Sequence, residues 1–138
     1  MTEPIDPEIN TLNAPFWEAA ARGSLVLPHC VTTGNPFWPP SPLSPFISNG
    51  DVDWRPVEPV GVLRSVITYR RAFQKSLAAL LPYRICLVEL AGGVRLQAYW
   101  AGEAAADDPV IGDPVRIVFA PLLPGGRDVP TVVRTRSA

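Results

Sequence analysis

A single histidine and only two cysteines stand among the 138 residues of this chain. That scarcity excludes much chemistry at once. Two cysteines make no disulfide framework, and a reducing compartment would keep both as thiols. A Ser-His-Asp or Cys-His arrangement would have to use His29, because no other imidazole exists. No nucleophile, base and orienting group can be assembled from the pattern, so no catalytic residue is expected. Long apolar runs are missing too, and none approaches the roughly 18 residues that a membrane helix needs. The opening MTEPIDPEIN lacks a basic and apolar leader, which points to a cytoplasmic protein with no membrane partner. Nor is there an excess of positive charge. With a net charge of -1 and a pI near 5.8, no global basic field draws the chain to nucleic acid.

Proline, by contrast, is plentiful. Its 17 copies are too many for a helical protein and suit short strands with rigid connections. A hydrophobic content of 47% in a chain of this length fits one ordinary domain able to bury a core.

The stretch LPYRICLVELAGGVRLQAYW, residues 81–100, is the best defined. It predicts two strands, Tyr83–Leu90 and Val94–Trp100, joined by Ala91-Gly92-Gly93, where glycine supplies the positive φ of a three-residue loop. That loop sets Leu90 opposite Val94, Glu89 opposite Arg95, Val88 opposite Leu96 and Cys86 opposite Ala98. One face is then wholly apolar, while Glu89–Arg95 and Leu87–Gln97 lie on the other. A slip of one residue would mix the faces, so the register is well specified.

Upstream, Asn13 is a plausible N-cap for a helix of about nine residues that runs to Arg22, with Gly23 at the C′ position. So short a helix must dock Phe16 and Trp17 on something, either its own domain or a partner. Ser24–Pro28 predicts a short strand. The segment from His29 to Trp54 is proline-rich and almost aperiodic, too long for a plain loop. It reads as a small irregular subdomain held by Phe37, Trp38, Phe46 and Trp54 rather than by backbone ladders. Gly61–Tyr69 predicts a strand with Leu63, Ser65, Ile67 and Tyr69 on one face. Residues 76–81 suggest one helical turn, and 101–108 a small acidic loop. Val115–Phe119 and Val129–Arg134 complete a set of short strands that favours closure into a barrel over a flat sheet, since closure removes exposed edges.

Taken in order, FWEAAARGSLVL, the segment starting at Cys30, GVLRSVITYRRAF, PYRICLVEL, GGVRL and IGDPVRIVF resemble the acyl-CoA-associated OB-fold proteins. The resemblance spans roughly Phe16 to Phe119. It implies a mainly β chain: an N-terminal arm and helix over 1–29, a zinc-ribbon-like segment over 30–55, and a five-stranded OB-fold barrel over 56–138. It also implies a thiolase-like partner in a hetero-oligomer. The ribbon departs from the family pattern, which places CxxCG before a Pro-Pro pair and CPxCG after it. Here the matching positions are Cys30, Thr33, Ser44 and Ile47, so one thiolate of four survives and no metal is expected. His29 could offer a second ligand, but adjacent residues rarely fold back onto one ion.

Arg64, Arg70, Arg71 and Lys75 form the densest basic cluster, with Tyr69 and Phe73 between them. Such a surface suits single-stranded nucleic acid on an OB-fold, or the phosphates and adenine of coenzyme A, or simply a solvated face with extended arginines. Of these residues Arg71 and Phe73 match the family's strand motif, as do Gly61 and Ser65. Trp38-Pro39-Pro40 matches the step between the ribbon halves, either as a rigid lid or as one wall of an acyl tunnel. The candidate coenzyme A contacts are therefore Arg64, Arg71, Phe73, Trp38 and Tyr69. The leading expectation is a non-catalytic accessory subunit of a thiolase-like enzyme (ketothiolase, aldolase or acyltransferase) that completes or stabilises its acyl-CoA tunnel. No cofactor is expected on this chain alone, the coenzyme A thioester being the shared substrate of the complex. The rivals are a stand-alone OB-fold module for acyl-CoA or single-stranded nucleic acid, and an independent acyl-CoA hydrolase.

Overall fold

The structure is a computed structural model that describes residues 9–71, 82–101, 109–121 and 126–135. The expected turn over 76–81 and acidic loop over 101–108 lie almost wholly outside these residues.

Helix α1 spans Ala14–Ala20, with proline in its first turn where a missing N–H costs nothing. Asn13 precedes it, yet its side chain makes no capping bond to the helix. Its Oδ1 accepts the Asn10 N–H at 2.8 Å instead, inside a turn in which Asn10 Oδ1 accepts from Leu12 and Asn13. The C-terminal end is as expected: Gly23 has φ +73°, its N–H donates to the Ala20 carbonyl, and the Ser24 N–H donates to that of Ala19. This paired closure satisfies two end carbonyls of the helix.

Strand β1 (Val26–Cys30) pairs antiparallel with β2 (Val52–Pro56), from Val26 opposite Pro56 to Cys30 opposite Val52. The irregular segment is thus bracketed by a ladder of its own, contrary to the expectation that aromatics alone hold it. The reason is that β2 is only five residues long and finds its partner more than twenty residues back. This ladder also runs across both expected borders, 29/30 and 55/56.

The remaining strands are β3 (Val60–Tyr69), β4 (Tyr83–Leu90), β5 (Arg95–Trp100), β6 (Pro114–Pro121) and β7 (Asp128–Arg134). They close a barrel in the order β3-β4-β5-β7-β6, with β5 and β7 parallel and the other neighbours antiparallel. The chain is therefore mainly β, with a closed five-stranded OB-fold barrel and one short helix. The β4–β5 register is the expected one, Glu89 opposite Arg95 and Cys86 opposite Ala98, and both Gly92 and Gly93 have positive φ. A close approach of β3 to β4 needs glycine at Gly61, where a Cβ would lie 2.3 Å from the Glu89 carbonyl oxygen.

One alternation fails. On β3, Leu63 pairs with Val88 and Ser65 with Leu87, so Arg64 is the extra residue of a bulge. A bulge reverses the facing of the residues beyond it. Val66, opposite Cys86, now packs on the core, while Ile67 is 52% exposed. Leu63 and Ile67 do not share a face after all.

A single core joins the parts. Leu63, Cys86, Val88, Leu90, Leu96, Ala98, Val115, Ile117 and Val132 fill the barrel, and Phe16, Leu25 and Leu27 belong to the same buried cluster. Phe16 and Trp17 therefore dock on their own chain, with Phe16 fully enclosed and Trp17 half-buried against the core. Apolar area of this kind stabilises at about 25 cal/mol per Å² buried.

Candidate functional site

Inward-facing Cys86, Val88 and Leu90 force Tyr83, Ile85, Leu87 and Glu89 to the outside of β4, because side chains alternate along a strand. By the same rule Arg95, Gln97 and Tyr99 face outward on β5, and Ser65, Ile67 and Tyr69 follow on β3 beyond the bulge. These residues make one continuous outer surface across β3, β4 and β5.

Its two ends differ in chemistry. At one, Arg64 Nη2 donates to Glu89 Oε2 at 3.1 Å and Arg95 Nε donates to Glu89 Oε1 at 3.2 Å. The Arg64 hydrogen bond first, and the Arg95 bond second, hold the Glu89 carboxyl below its ordinary value. Two cations on one carboxylate leave the cluster with a surplus positive charge. At the other end the Tyr69 and Tyr83 rings are stacked, centroids 5.0 Å apart and planes 12° off parallel, and Tyr99 follows at 6.3 Å from Tyr83. Burial, with the neighbouring tyrosines, pushes the Tyr83 and Tyr99 hydroxyls above their ordinary value. Arg64 and Tyr69 are five residues apart on β3, roughly 16 Å at about 3.3 Å per residue. The surface thus runs from a cationic end to an aromatic one.

The expected site residues fall at different places on this frame. Arg64 lies in the carboxylate cluster and Tyr69 in the ring stack. Arg71 is exposed just beyond the end of β3, as is Arg70, while Phe73 and Lys75 lie outside the described residues. Trp38 is not on this surface. It follows β1 in the ribbon, half-buried, with its ring 4.6 Å from that of Phe16. Sequence reasoning missed Tyr83 and Tyr99, although its own hairpin register, carried one pair further, sets Tyr99 opposite Ile85 on the outer face. It also missed that Arg64 shares Glu89 with Arg95, which needs the β3–β4 pairing to be known.

Within the ribbon, His29 and Cys30 point to opposite faces of β1. The His29 ring is buried and its Nδ1–H donates to the Leu27 carbonyl at 2.8 Å, which fixes the orientation of the imidazole. Cys30 is buried as well, and the Ser44 hydroxyl, then that of Thr33, bring its thiol down to about 7 against the upward pull of burial. Cys86, within the barrel, is pushed up to about 11 by burial, as expected of an inert core thiol. Among the described residues, no three His, Cys, Asp or Glu side chains gather as a metal site would require. No helix among them is long and apolar enough to cross a membrane.

Two family models match in the expected order. The ChsH2 rubredoxin-like zinc ribbon domain matches residues 17–43, and the ChsH2 C-terminal OB-fold domain matches residues 54–120. A relative in Thermomonospora curvata, named probable enoyl-CoA hydratase alpha subunit, is 37% identical over 110 residues, which is 79% of this chain. The chain spans about a third (33%) of that relative's length. A solved structure named Ltp2-ChsH2(DUF35) aldolase has a TM-score of 0.78 and 29% identity, covering 94% of this chain and 98% of its own.

Proposed function

We propose that this chain, which belongs to the ChsH2 family, is the non-catalytic accessory subunit of a thiolase-like enzyme acting on acyl-CoA thioesters. The observation that carries this reading is the end-to-end likeness to a chain of the aldolase whose name joins ChsH2 to Ltp2. The chain's own chemistry supports the same reading. Its one imidazole is bound to the backbone, and its barrel thiol is buried with a raised pKa. A buried thiol with a raised pKa is a poor nucleophile.

The partner supplies the reacting groups for forming or breaking a C–C bond next to the thioester. This chain completes and stabilises the acyl-CoA tunnel. Arg64 on the outer surface and Arg71 just beyond β3 offer cations for phosphate groups, and Tyr69 offers an aromatic wall, with Phe73 the remaining candidate contact. Trp38, seated on Phe16, stiffens the ribbon wall of the tunnel. The enoyl-CoA hydratase alpha subunit name of the relative agrees with a coenzyme A thioester as the shared substrate.

Co-expression with a thiolase-like protein, followed by size-exclusion chromatography and a turnover assay, tests the proposal. A stable complex is expected, with full turnover only when both chains are present. Arg71→Ala and Phe73→Ala are expected to lower turnover by the complex without lowering the melting temperature of this chain. Separate elution, with the partner fully active alone, would sink the accessory-subunit reading.

A further inference from the structure

The ribbon brings two turns together. One follows β1 and runs through Cys30 and Thr33; the other runs through Ser44 and Ile47. Each turn keeps a backbone N–H aimed back at its first side chain. The Thr33 N–H donates to Cys30 Sγ at 3.4 Å, and the Phe46 N–H donates to Ser44 Oγ at 3.0 Å. The Val31 N–H, next to Cys30, donates to the Asp51 carbonyl at 3.0 Å, and the Ser44 N–H donates to the Gly50 carbonyl at 2.9 Å, so the Gly50–Asp51 backbone holds the two turns together. Cys30 and Ser44 are both buried. A Cβ built on Gly50 would lie 2.5 Å from Ile47 Cγ1 and 2.7 Å from Ser44 Cβ, so the Ile47 hydrocarbon lies close over the Ser44 side chain.

A structural zinc ion needs four nitrogen or sulfur donors at about 2.0–2.3 Å. These four positions offer one thiol, two hydroxyls and a hydrocarbon. His29 does not make up the deficit, since it faces the other side of β1 from Cys30. The donor set does not fit the metal that the family's ribbon model implies. What these positions do offer is acceptors for the turns' own backbone, Cys30 Sγ for the Thr33 N–H and Ser44 Oγ for the Phe46 N–H.

We infer that in this chain a metal-free cluster, in which the Cys30 thiol and the Ser44 hydroxyl accept backbone N–H groups of their own turns beside Ile47, stands in place of the ribbon metal. Metal binding then contributes nothing to folding here, unlike in ribbons where its binding energy is folding energy. The β1–β2 ladder and the burial of Leu25, Leu27 and Phe37 hold the rest of the segment.

The test uses the full chain, expressed with zinc in the medium. Elemental analysis is expected to find no stoichiometric zinc, and the melting temperature to be the same with zinc or EDTA. Ser44→Ala removes the buried acceptor of the Phe46 N–H, and is expected to lower the melting temperature by several degrees, equally in both buffers. The combined variant Thr33→Cys, Ser44→Cys, Ile47→Cys rebuilds four thiolates and is expected to bind one Co2+ per chain, read by thiolate-to-cobalt absorption. Stoichiometric zinc in the unaltered chain, or melting that depends on EDTA, overturns the inference. So does a folded four-cysteine variant that takes up no Co2+. If that variant does not fold, Ser44→Ala decides: unchanged melting overturns the cluster, and a lowered, metal-independent melting temperature supports it.

Discussion

The ring of Phe16 in α1 lies 4.6 Å from that of Trp38 in the ribbon, centroid to centroid. The same ring meets Phe119 of the barrel edge-on at 6.0 Å, so one side chain touches helix, ribbon and barrel. Phe16→Ala removes that shared contact and leaves a cavity, at a cost of about 3–5 kcal/mol. Against a total of roughly 5–15 kcal/mol, the melting temperature is expected to fall by about 10 °C or more. Calorimetry checks this, and a fall of only a degree or two would mean that the three parts do not share a core.

Val88 has no exposed surface and sits opposite Leu96 on the inner face of the central hairpin. Val88→Asp buries an unpaired carboxylate there, which costs several kcal/mol. The variant is expected to accumulate as insoluble protein, whereas Leu87→Asp, one residue along on the outer face, is expected to stay soluble. Fractionation of the two side by side reads the facing directly.

Glu89 is shared by Arg64 and Arg95, but both guanidinium groups are substantially exposed. Such pairs contribute about 0–1 kcal/mol, less at high salt. Glu89→Gln is therefore expected to change the melting temperature by only a few degrees at neutral pH. Because the folded chain holds this carboxyl below its ordinary 4.5, whatever it contributes is present above that value and is lost as the pH falls further. Acid melts of the two proteins should converge, and a difference that grows on acidification would contradict the pairing.

Cys86 works in the opposite direction, since burial raises its thiol from 9.0 to about 11. Between those values the unfolded chain releases the proton while the folded chain keeps it. Stability is thus unaffected by this group below pH 9 and declines as the pH rises toward 11. Cys86→Ala is expected to flatten that part of the alkaline decline while lowering stability at neutral pH through lost packing. Melting curves taken across the alkaline range, with the tyrosines common to both proteins, isolate the difference.

The hairpin over residues 83–100 was legible because everything that sets it is local. Two glycines fix the loop, and a one-residue slip would put Glu89 on the apolar face. The same locality made the Gly23 end of α1 readable, since its bonds reach back only a turn. The Arg64 bulge was not legible, because an extra residue on β3 is defined only against β4, whose pairing partner lies more than twenty residues away. For that reason the sequence put Leu63 and Ile67 on one face and left the Arg64–Glu89–Arg95 cluster unseen.

By itself, then, the sequence determined the composition of the core, the closed β architecture and the loss of three thiols from the ribbon, all matters of residue type and short spacing. Only the tertiary structure decided that β1 pairs with β2, that Trp38 leans on Phe16, and that the Cys30 and Ser44 turns meet on Gly50 and Asp51. Each of these joins residues far apart in the chain. Their partners are chosen by the burial and hydrogen bonding of the assembled molecule, which no local pattern records.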